Sequence, residues 1–306
     1  MTELRFDNRV AVITGAGRGL GRSYALLLAS RGAKVVVNDI GVTRYGSEPD
    51  SGPAQDVVNE IKAAGGEAVA NTDSVSTPEG GKAIVSQAID AFGRIDILIA
   101  NAGFNRPKSM KELAQEDFEA ILGVHLMGGF HVARPAFPLM CEQKYGRIVL
   151  TSSIAGTYSE KGLAGYAVSK AGLVGLSNVL ALEGAAEGVQ SNAILPSAET
   201  RLSEGRDTSM FPDMRAELVA PMVAWLCHES CPVSGELLVA LAGRIARAYI
   251  SETVGVYQPE WSIEQVAERW AEIGDTKDAV TFPVLPSGFN DHLGYSFAMA
   301  RAGGAK

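Results

Sequence analysis

The chain has 306 residues and a formal net charge of −8, from 27 Lys and Arg against 35 Asp and Glu. That length fits one large α/β domain or two domains of ~150 residues, and the acidic balance argues against nucleic acid or an anionic membrane as a partner. With 46% hydrophobic and 20% charged residues the chain is not disordered, and no apolar run is read as approaching the ~18 residues of a membrane helix.

The first strand, Val10–Thr14, runs straight into Gly15-Ala16-Gly17-Arg18-Gly19-Leu20-Gly21 and then a helical pattern, Gly19–Arg31. Glycines between a first strand and a first helix let backbone turn tightly and approach a ligand. The helix start then offers N–H groups and partial positive charge to a pyrophosphate. The second strand, Lys34–Asp39, ends in a carboxylate 18 residues after Gly21, the spacing that lets Asp39 accept hydrogen bonds from an adenosine ribose. Asp39 repels a 2′-phosphate and favours NAD as cofactor; Arg18 in the glycine turn pulls the other way. Gly41–Pro53 is a Gly/Pro/Ser loop too long for an ordinary connection.

The alternation continues. Helices are predicted at Ala54–Ala64, Pro78–Phe92, Gln115–Gln143, Leu163–Ala186 and Met214–His228; strands are predicted at Glu67–Asn71, Ile95–Asn101, Gly146–Ser152, Val189–Leu195 and Gly235–Ala240. Strands rich in Val and Ile and apolar almost throughout are those buried on both faces. The fold class is therefore α/β, a Rossmann-type doubly wound parallel sheet of about seven strands. Residues 1–241 are expected to form that domain, and residues 242–306 a C-terminal extension packing on it. In the extension, Ser262 and Gln265 have capping-box spacing, and Ile263, Val266, Ala267, Trp270 and Ile273 follow helical spacing up to Gly274. One amphipathic helix over 262–273 is predicted, shaping a substrate pocket rather than the cofactor site.

Ser153 follows the fifth strand, Tyr166 comes 13 residues later, and Lys170 four after that. A separation of four puts the phenol and the ammonium on one helix face. A nearby ammonium favours the phenolate and pulls its pKa down from ~10, so Tyr166 can exchange a proton near neutrality. Ser153 can hold a substrate oxygen. With a nicotinamide, this is equipment for oxidising an alcohol or reducing a ketone. Cys227-His228-x-x-Cys231 encloses a single His with no second ligand pair, so no metal is expected. His131 and His292 have no partner pattern, and Trp225, Trp261 and Trp270 read as packing residues.

These residues resemble the short-chain dehydrogenase/reductase family: Thr14-Gly15-x-x-x-Gly19-x-Gly21, Asn101-Ala102-Gly103, Ser153 and Tyr166-x-x-x-Lys170. The resemblance implies Tyr166 as acid/base, Ser153 orienting the carbonyl, and Lys170 binding the nicotinamide ribose and acidifying Tyr166. It implies cofactor contacts from Gly15, Gly17, Arg18, Gly19, Leu20 and Gly21, and from Asp39. It extends them to Asp73 with Ser74 and Val75, to Asn101, Ala102 and Gly103, and to Pro196 and Thr200. Subunits of this family pair through the two long helices, so a homo-oligomer, dimer or tetramer, is expected.

A closer resemblance is to the (3R)-hydroxyacyl-CoA dehydrogenase regions of the type 2 multifunctional enzymes of fatty-acid β-oxidation. It rests on residues 35–39 (VVVND), 65–71 (GGEAVAN), 144–148 (KYGRI) and 225–231 (WLCHESC). It implies an acyl-CoA substrate; the alternatives are a hydroxysteroid dehydrogenase and a non-catalytic dinucleotide-binding scaffold. His125 stands where the family has an Asn of a proton relay, and Pro196-Ser197 stands for its Pro-Gly. The charged Met1–Arg9, the sparse cysteines and the ending Ala305-Lys306 instead of Ser-Lys-Leu lead us to expect a free-standing cytoplasmic enzyme.

Overall fold

The structure, a computed structural model, describes residues 2–41, 52–200 and 210–304. Two compact units are present, Met1–Arg247 and Ala248–Lys306.

In the first unit, seven parallel strands form one sheet: β1 Val10–Thr14, β2 Lys34–Asn38, β3 Glu67–Asn71, β4 Ile97–Ala100, β5 Gly146–Thr151, β6 Val189–Ser197 and β7 Leu237–Leu241. The order is β3-β2-β1-β4-β5-β6-β7, closed by β8 Arg244–Ala248 at the edge. The sequence reading stopped before β8, an antiparallel edge strand. Ala242 and Gly243 join it to β7 with φ 47 and 79, the pair of positive angles that a tight hairpin needs.

Both sheet faces are covered, which explains the unbroken apolar strands. In β1, Ala11 and Ile13 enter one core, with Leu28 of helix α1 (Gly19–Ser30), Val57 of α2 (Gly52–Ala63) and Val223 of α7 (Ala220–Cys227). Val10 and Val12 enter the other, with Ile84 of α3 (Pro78–Phe92), Val132 of α5 (Gly128–Glu142) and Leu173 of α6 (Ala164–Gly184). Each fully buried aliphatic side chain contributes about 1.5–3 kcal/mol by leaving water.

The predicted helix 115–143 is three pieces. Helix α4 (Gln115–Leu122) passes through a π-turn, Gly123–Met127, into α5. A π-turn adds one residue without breaking the rod, so periodicity reads straight through it. The predicted helix 214–228 begins as a 3-10 turn at Ala216–Leu218 and becomes α-helical only at Ala220. The long loop expected at 41–53 lies mostly outside the described residues.

One correction concerns hydropathy. The stretch Ala164–Glu187 is 24 residues long with mean hydropathy 1.2, long and apolar enough to cross a membrane by length and composition. It is built from Ala, Gly, Leu and Val around Lys170, so no unbroken apolar run drew notice. Here it is a core helix, with Ser169, Lys170, Leu173 and Ser177 buried against the sheet. Its other face leaves Val168, Val179 and Leu182 exposed, as Met127 and Phe130 are at the start of α5.

In the second unit, Ser262 and Gln265 form the expected capping box. The helix they open is short: α8 Ile263–Glu268 breaks at Arg269 before α9 Trp270–Ile273. Ile263 and Trp270 of the apolar stripe remain exposed. Strands β9 Ser251–Glu252 and β10 Val280–Thr281 pair antiparallel, and α10 Gly288–Gly304 follows. The sequence reading missed α10 because four glycines, each costing about 1 kcal/mol in a helix, dilute its pattern.

Candidate active site

Strand order reverses between β1 and β4, and a ligand crevice is expected beyond the carboxyl ends of those strands. Side chains stitch this point together. The Thr14 hydroxyl oxygen accepts from the N–H groups of Asn101 (3.0 Å) and Ala102 (3.1 Å), while Asn101 Nδ2 donates to the carbonyls of Thr14 (3.1 Å) and Gly15 (3.2 Å).

A cleft of about 390 Å³ opens there. Gly15, Arg18, Gly19, Leu20, Asp39, Asp73, Ser74, Val75, Asn101, Ala102, Gly103 and Thr200 all line it, so most of the predicted cofactor residues share one cavity. Gly15 turns at φ 64, and a Cβ there would stand 2.8 Å from the Ala102 Cα. Arg18 is the N-cap of α1, yet no side-chain bond caps that helix and its first turn holds no acid. A helix start of this kind presents its leading N–H groups and partial positive charge to an anion.

The Asp39 carboxylate is fixed in place. It accepts from the N–H groups of Gly17 (3.0 Å) and Gly41 (2.8 Å). A Cβ on Gly17 would come within 2.9 Å of it, so the glycine is what admits the carboxylate. The neighbouring Asn38 and Asn71, which the sequence reading passed over, hold Asp73. Asn38 Nδ2 donates to Asn71 Oδ1 (2.8 Å) and to the Asp73 carbonyl (2.9 Å), and Asn71 Nδ2 donates to the Asp73 carboxylate (2.8 Å). His131 donates from Nδ1 to the Val75 carbonyl at 2.9 Å, which gives that histidine a structural place under the cleft. Thr200 reaches Gly19: its methyl would lie 3.2 Å from a Cβ built there. Gly17, Gly21 and Pro196 are outside the cleft lining; Gly21 is buried, and Pro196 pairs with Ala240 across β6 and β7.

Ser153, Tyr166 and Lys170 form a second cluster, beyond the cleft lining. Ser153 leaves β5 in extended conformation, with Oγ accepting from Ala155 N–H at 3.1 Å, and its side chain stands beside the Tyr166 phenol and favours its ionised form. Lys170, one turn beyond Tyr166, donates from Nζ to the Thr151 carbonyl at 2.6 Å and lies 5.4 Å from the Tyr166 ring centre. The Ser152 hydroxyl holds the Lys170 carbonyl at 2.7 Å.

The electrostatics differ from the sequence expectation. Burial pushes the Tyr166 phenol above its ordinary value, opposed by the neighbouring Ser153 side chain. Burial also pulls the Lys170 ammonium down to about 7. Desolvation penalises both charged forms, and sequence spacing carries no measure of it. Acidification of Tyr166 by Lys170 therefore requires the lysine to be held in its charged form.

His125 is buried in the π-turn. Its Nε2 lies 2.6 Å from the Phe104 carbonyl, and its ring meets Tyr166 edge-on at 5.1 Å. His228, from the Cys-His-x-x-Cys run, spends both nitrogens elsewhere: Nδ1 is 2.8 Å from Ser230 Oγ and Nε2 is 3.1 Å from the Arg5 carbonyl.

A family model described as short chain dehydrogenase matches residues 9–208. The chain belongs to the short-chain dehydrogenase family. Peroxisomal multifunctional enzyme type 2 of Drosophila melanogaster is 44% identical over 283 residues, covering 90% of this chain and 47% of that protein. A solved structure of the full-length Drosophila enzyme superposes with TM-score 0.81 at 36% identity, covering 97% of this chain and 50% of that one. This short-chain dehydrogenase thus spans about half the length of that relative. A short-chain type dehydrogenase/reductase of Mycobacterium tuberculosis is 43% identical over 275 residues, covering 89% of this chain and 96% of its own. Family membership implies an NAD(P) cofactor and a small-molecule substrate, and the cleft fits the cofactor: a glycine cradle, an uncapped helix start and a fixed carboxylate at its lip.

Proposed function

We propose that this short-chain dehydrogenase interconverts a 3-hydroxyacyl-CoA and its 3-oxo form with NAD. The observation that carries the chemistry is Tyr166, with Ser153 beside its phenol and the Lys170 ammonium 5.4 Å from its ring centre. The thioester class is supported by the likeness to the type 2 multifunctional enzymes over 90% of the chain. Gly15, Arg18, Gly19, Leu20 and Asp39 would hold the pyrophosphate and adenosine ribose, and Asp73 to Val75 the adenine end. Bound NAD supplies the hydride acceptor.

The chain's own residues handle the proton and the substrate oxygen. In the oxidising direction, the Tyr166 phenolate takes the hydroxyl proton while the carbinol carbon gives up a hydride; reduction runs both transfers in reverse. Ser153 donates to the oxygen and holds it beside the phenol. The Lys170 ammonium, kept charged, favours the phenolate. Phe104, Ala120, Gly123 and Val124 line the same cleft and give it an apolar wall for an acyl chain.

The rival is a hydroxysteroid, which also offers an apolar body and a secondary alcohol. Comparing kcat/KM for a 3-hydroxyacyl-CoA and a panel of hydroxysteroids separates the two. The thioester is expected to exceed every steroid by at least about tenfold, the difference one good polar recognition contact makes. A steroid turned over as well as the thioester overturns the assignment of substrate class.

A further inference from the structure

The loop that joins Ser153 to Tyr166 is tied to a second loop at the cofactor cleft. Leaving Ser153, the chain makes a 3-10 turn, Ile154–Gly156. The Ile154 carbonyl accepts from the Tyr158 N–H and the Thr157 hydroxyl, both at 2.9 Å. The loop then passes through positive φ at Ser159 (59) and Gly162 (81) and reaches Leu163, the N-cap of α6, three residues before Tyr166. The second loop follows β4 and carries Phe104 and Arg106, both of which line the cleft. An isolated parallel bridge pairs Lys108 of that loop with Leu163, and the Lys108 N–H donates to the Gly162 carbonyl at 2.9 Å. The two loops form one rim. Arg106 joins it to the cofactor cleft, and α6 joins it to Tyr166.

This rim carries charge and apolar surface that the fold itself does not use. Lys108 and Lys161 are exposed, one on each loop, and Lys111 follows on the first. Among the described residues none forms an ion pair with these three ammonium groups, whereas the Arg106 guanidinium is held by Asp117 at 2.8 Å. Of the carboxylates on the same loops, Glu112 accepts from the Ser109 hydroxyl at 2.7 Å, and Glu160 precedes Lys161. The rim therefore stays positive on a chain of net charge −8. Tyr158 is 78% exposed beside these lysines, a ring left in water next to unpaired cations.

We propose that this bridged rim is the subsite for the coenzyme A arm of the substrate, with Lys108 and Lys161 pairing with its phosphates and Tyr158 stacking on its adenine. The inference rests on the reading of the substrate as a 3-hydroxyacyl-CoA. Coenzyme A ends in an adenosine whose 3′-phosphate carries about −1.5 to −2 charge, followed by a pyrophosphate and a long flexible arm to the thioester. With the carbinol at Tyr166, the arm leaves over the rim that adjoins it. Lysines suit such a ligand, because a point charge on a flexible stem can follow a mobile phosphate. An exposed aromatic face accepts a base by stacking. The cofactor's own phosphates are assigned to the glycine turn and the start of α1, so the two nucleotides use different groups and bind together.

Turnover of a 3-hydroxyacyl-CoA is compared with that of the N-acetylcysteamine thioester of the same acid, which keeps the reacting group and lacks the phosphates and the adenine. The unaltered protein is expected to favour the CoA thioester by at least about tenfold in kcat/KM, chiefly through KM, and to lose part of that preference at high salt. Lys108→Glu and Lys161→Glu are each expected to cut the preference about fivefold or more, because each sets a like charge before a phosphate. Tyr158→Ala should cut it by a similar factor through the lost stacking. Lys62→Glu, in the last turn of α2, controls for net charge and should keep the preference. Lysine variants that keep the wild-type preference, or that lose both substrates alike, overturn the proposal; a Tyr158→Ala variant that does either overturns the stacking. CoA itself is also titrated calorimetrically into NADH-saturated protein. Its Kd is expected to rise by the same factors in the two lysine variants, and an absence of CoA binding overturns the subsite. If neither thioester is oxidised while CoA binding depends on Lys108 and Lys161, the 3-hydroxyacyl reading fails and the subsite stands. Oxidation of both thioesters with no preference overturns the subsite and leaves that reading.

Discussion

Tyr166→Phe is expected to lower kcat by about 10²–10⁴-fold, the usual worth of a general acid/base, and to leave cofactor affinity unchanged. Only the phenol oxygen is removed. The ring keeps its packing against His125, and Lys170 keeps its bond to the Thr151 carbonyl. None of the residues that line the cofactor cleft is touched. Lys170→Ala should differ in kind, losing turnover and cofactor affinity together. The pH dependence follows from burial. Because the free phenol is held above its ordinary value, kcat/KM for oxidation should rise with pH as the phenolate forms. The residual activity of Tyr166→Phe should lose that limb. Steady-state kinetics across pH, with cofactor affinity from fluorescence titration, make the check; a Phe variant with near-normal turnover removes Tyr166 from the mechanism.

NAD is expected to be preferred over NADP by about 10²-fold in kcat/KM, the scale of a like-charge encounter costing several kcal/mol. The Asp39 carboxylate is pinned by the Gly17 and Gly41 N–H groups, so it cannot swing aside. A ribose diol can donate to it, whereas a 2′-phosphate carrying about −1.5 to −2 charge would be repelled. Arg18 lines the same cleft and opposes this preference. Asp39→Ser should therefore lower NAD efficiency and raise NADP efficiency together. An NADP preference in the unaltered protein would mean that Arg18 outweighs Asp39.

The sheet was legible because its inner strands are buried on both faces. Val10–Thr14, Lys34–Asn38 and Ile97–Ala100 show as short Val-, Ile- and Ala-rich runs set off by Gly and charged residues. The glycine turn and the Tyr166-x-x-x-Lys170 spacing were legible because local geometry fixes both: one by φ, the other by helical pitch. Three features were hidden for physical reasons. The π-turn keeps the helical rhythm of its neighbours, so the inward displacement of His125 leaves no mark on the pattern. The Asn38–Asn71–Asp73 network joins residues on neighbouring strands, and one sequence does not reveal which strands meet. The charge state of Lys170 depends on burial, which arises only when α6 closes on the sheet.

The most direct test of the account is the absorbance of NADH when the protein meets NAD and a 3-hydroxyacyl-CoA. The account predicts saturable NADH formation with kcat/KM of about 10⁴ M⁻¹s⁻¹ or more, the ordinary range for an enzyme on its own substrate, abolished to background by Tyr166→Phe. No NADH above the Tyr166→Phe background, from a protein that binds NAD, would contradict it.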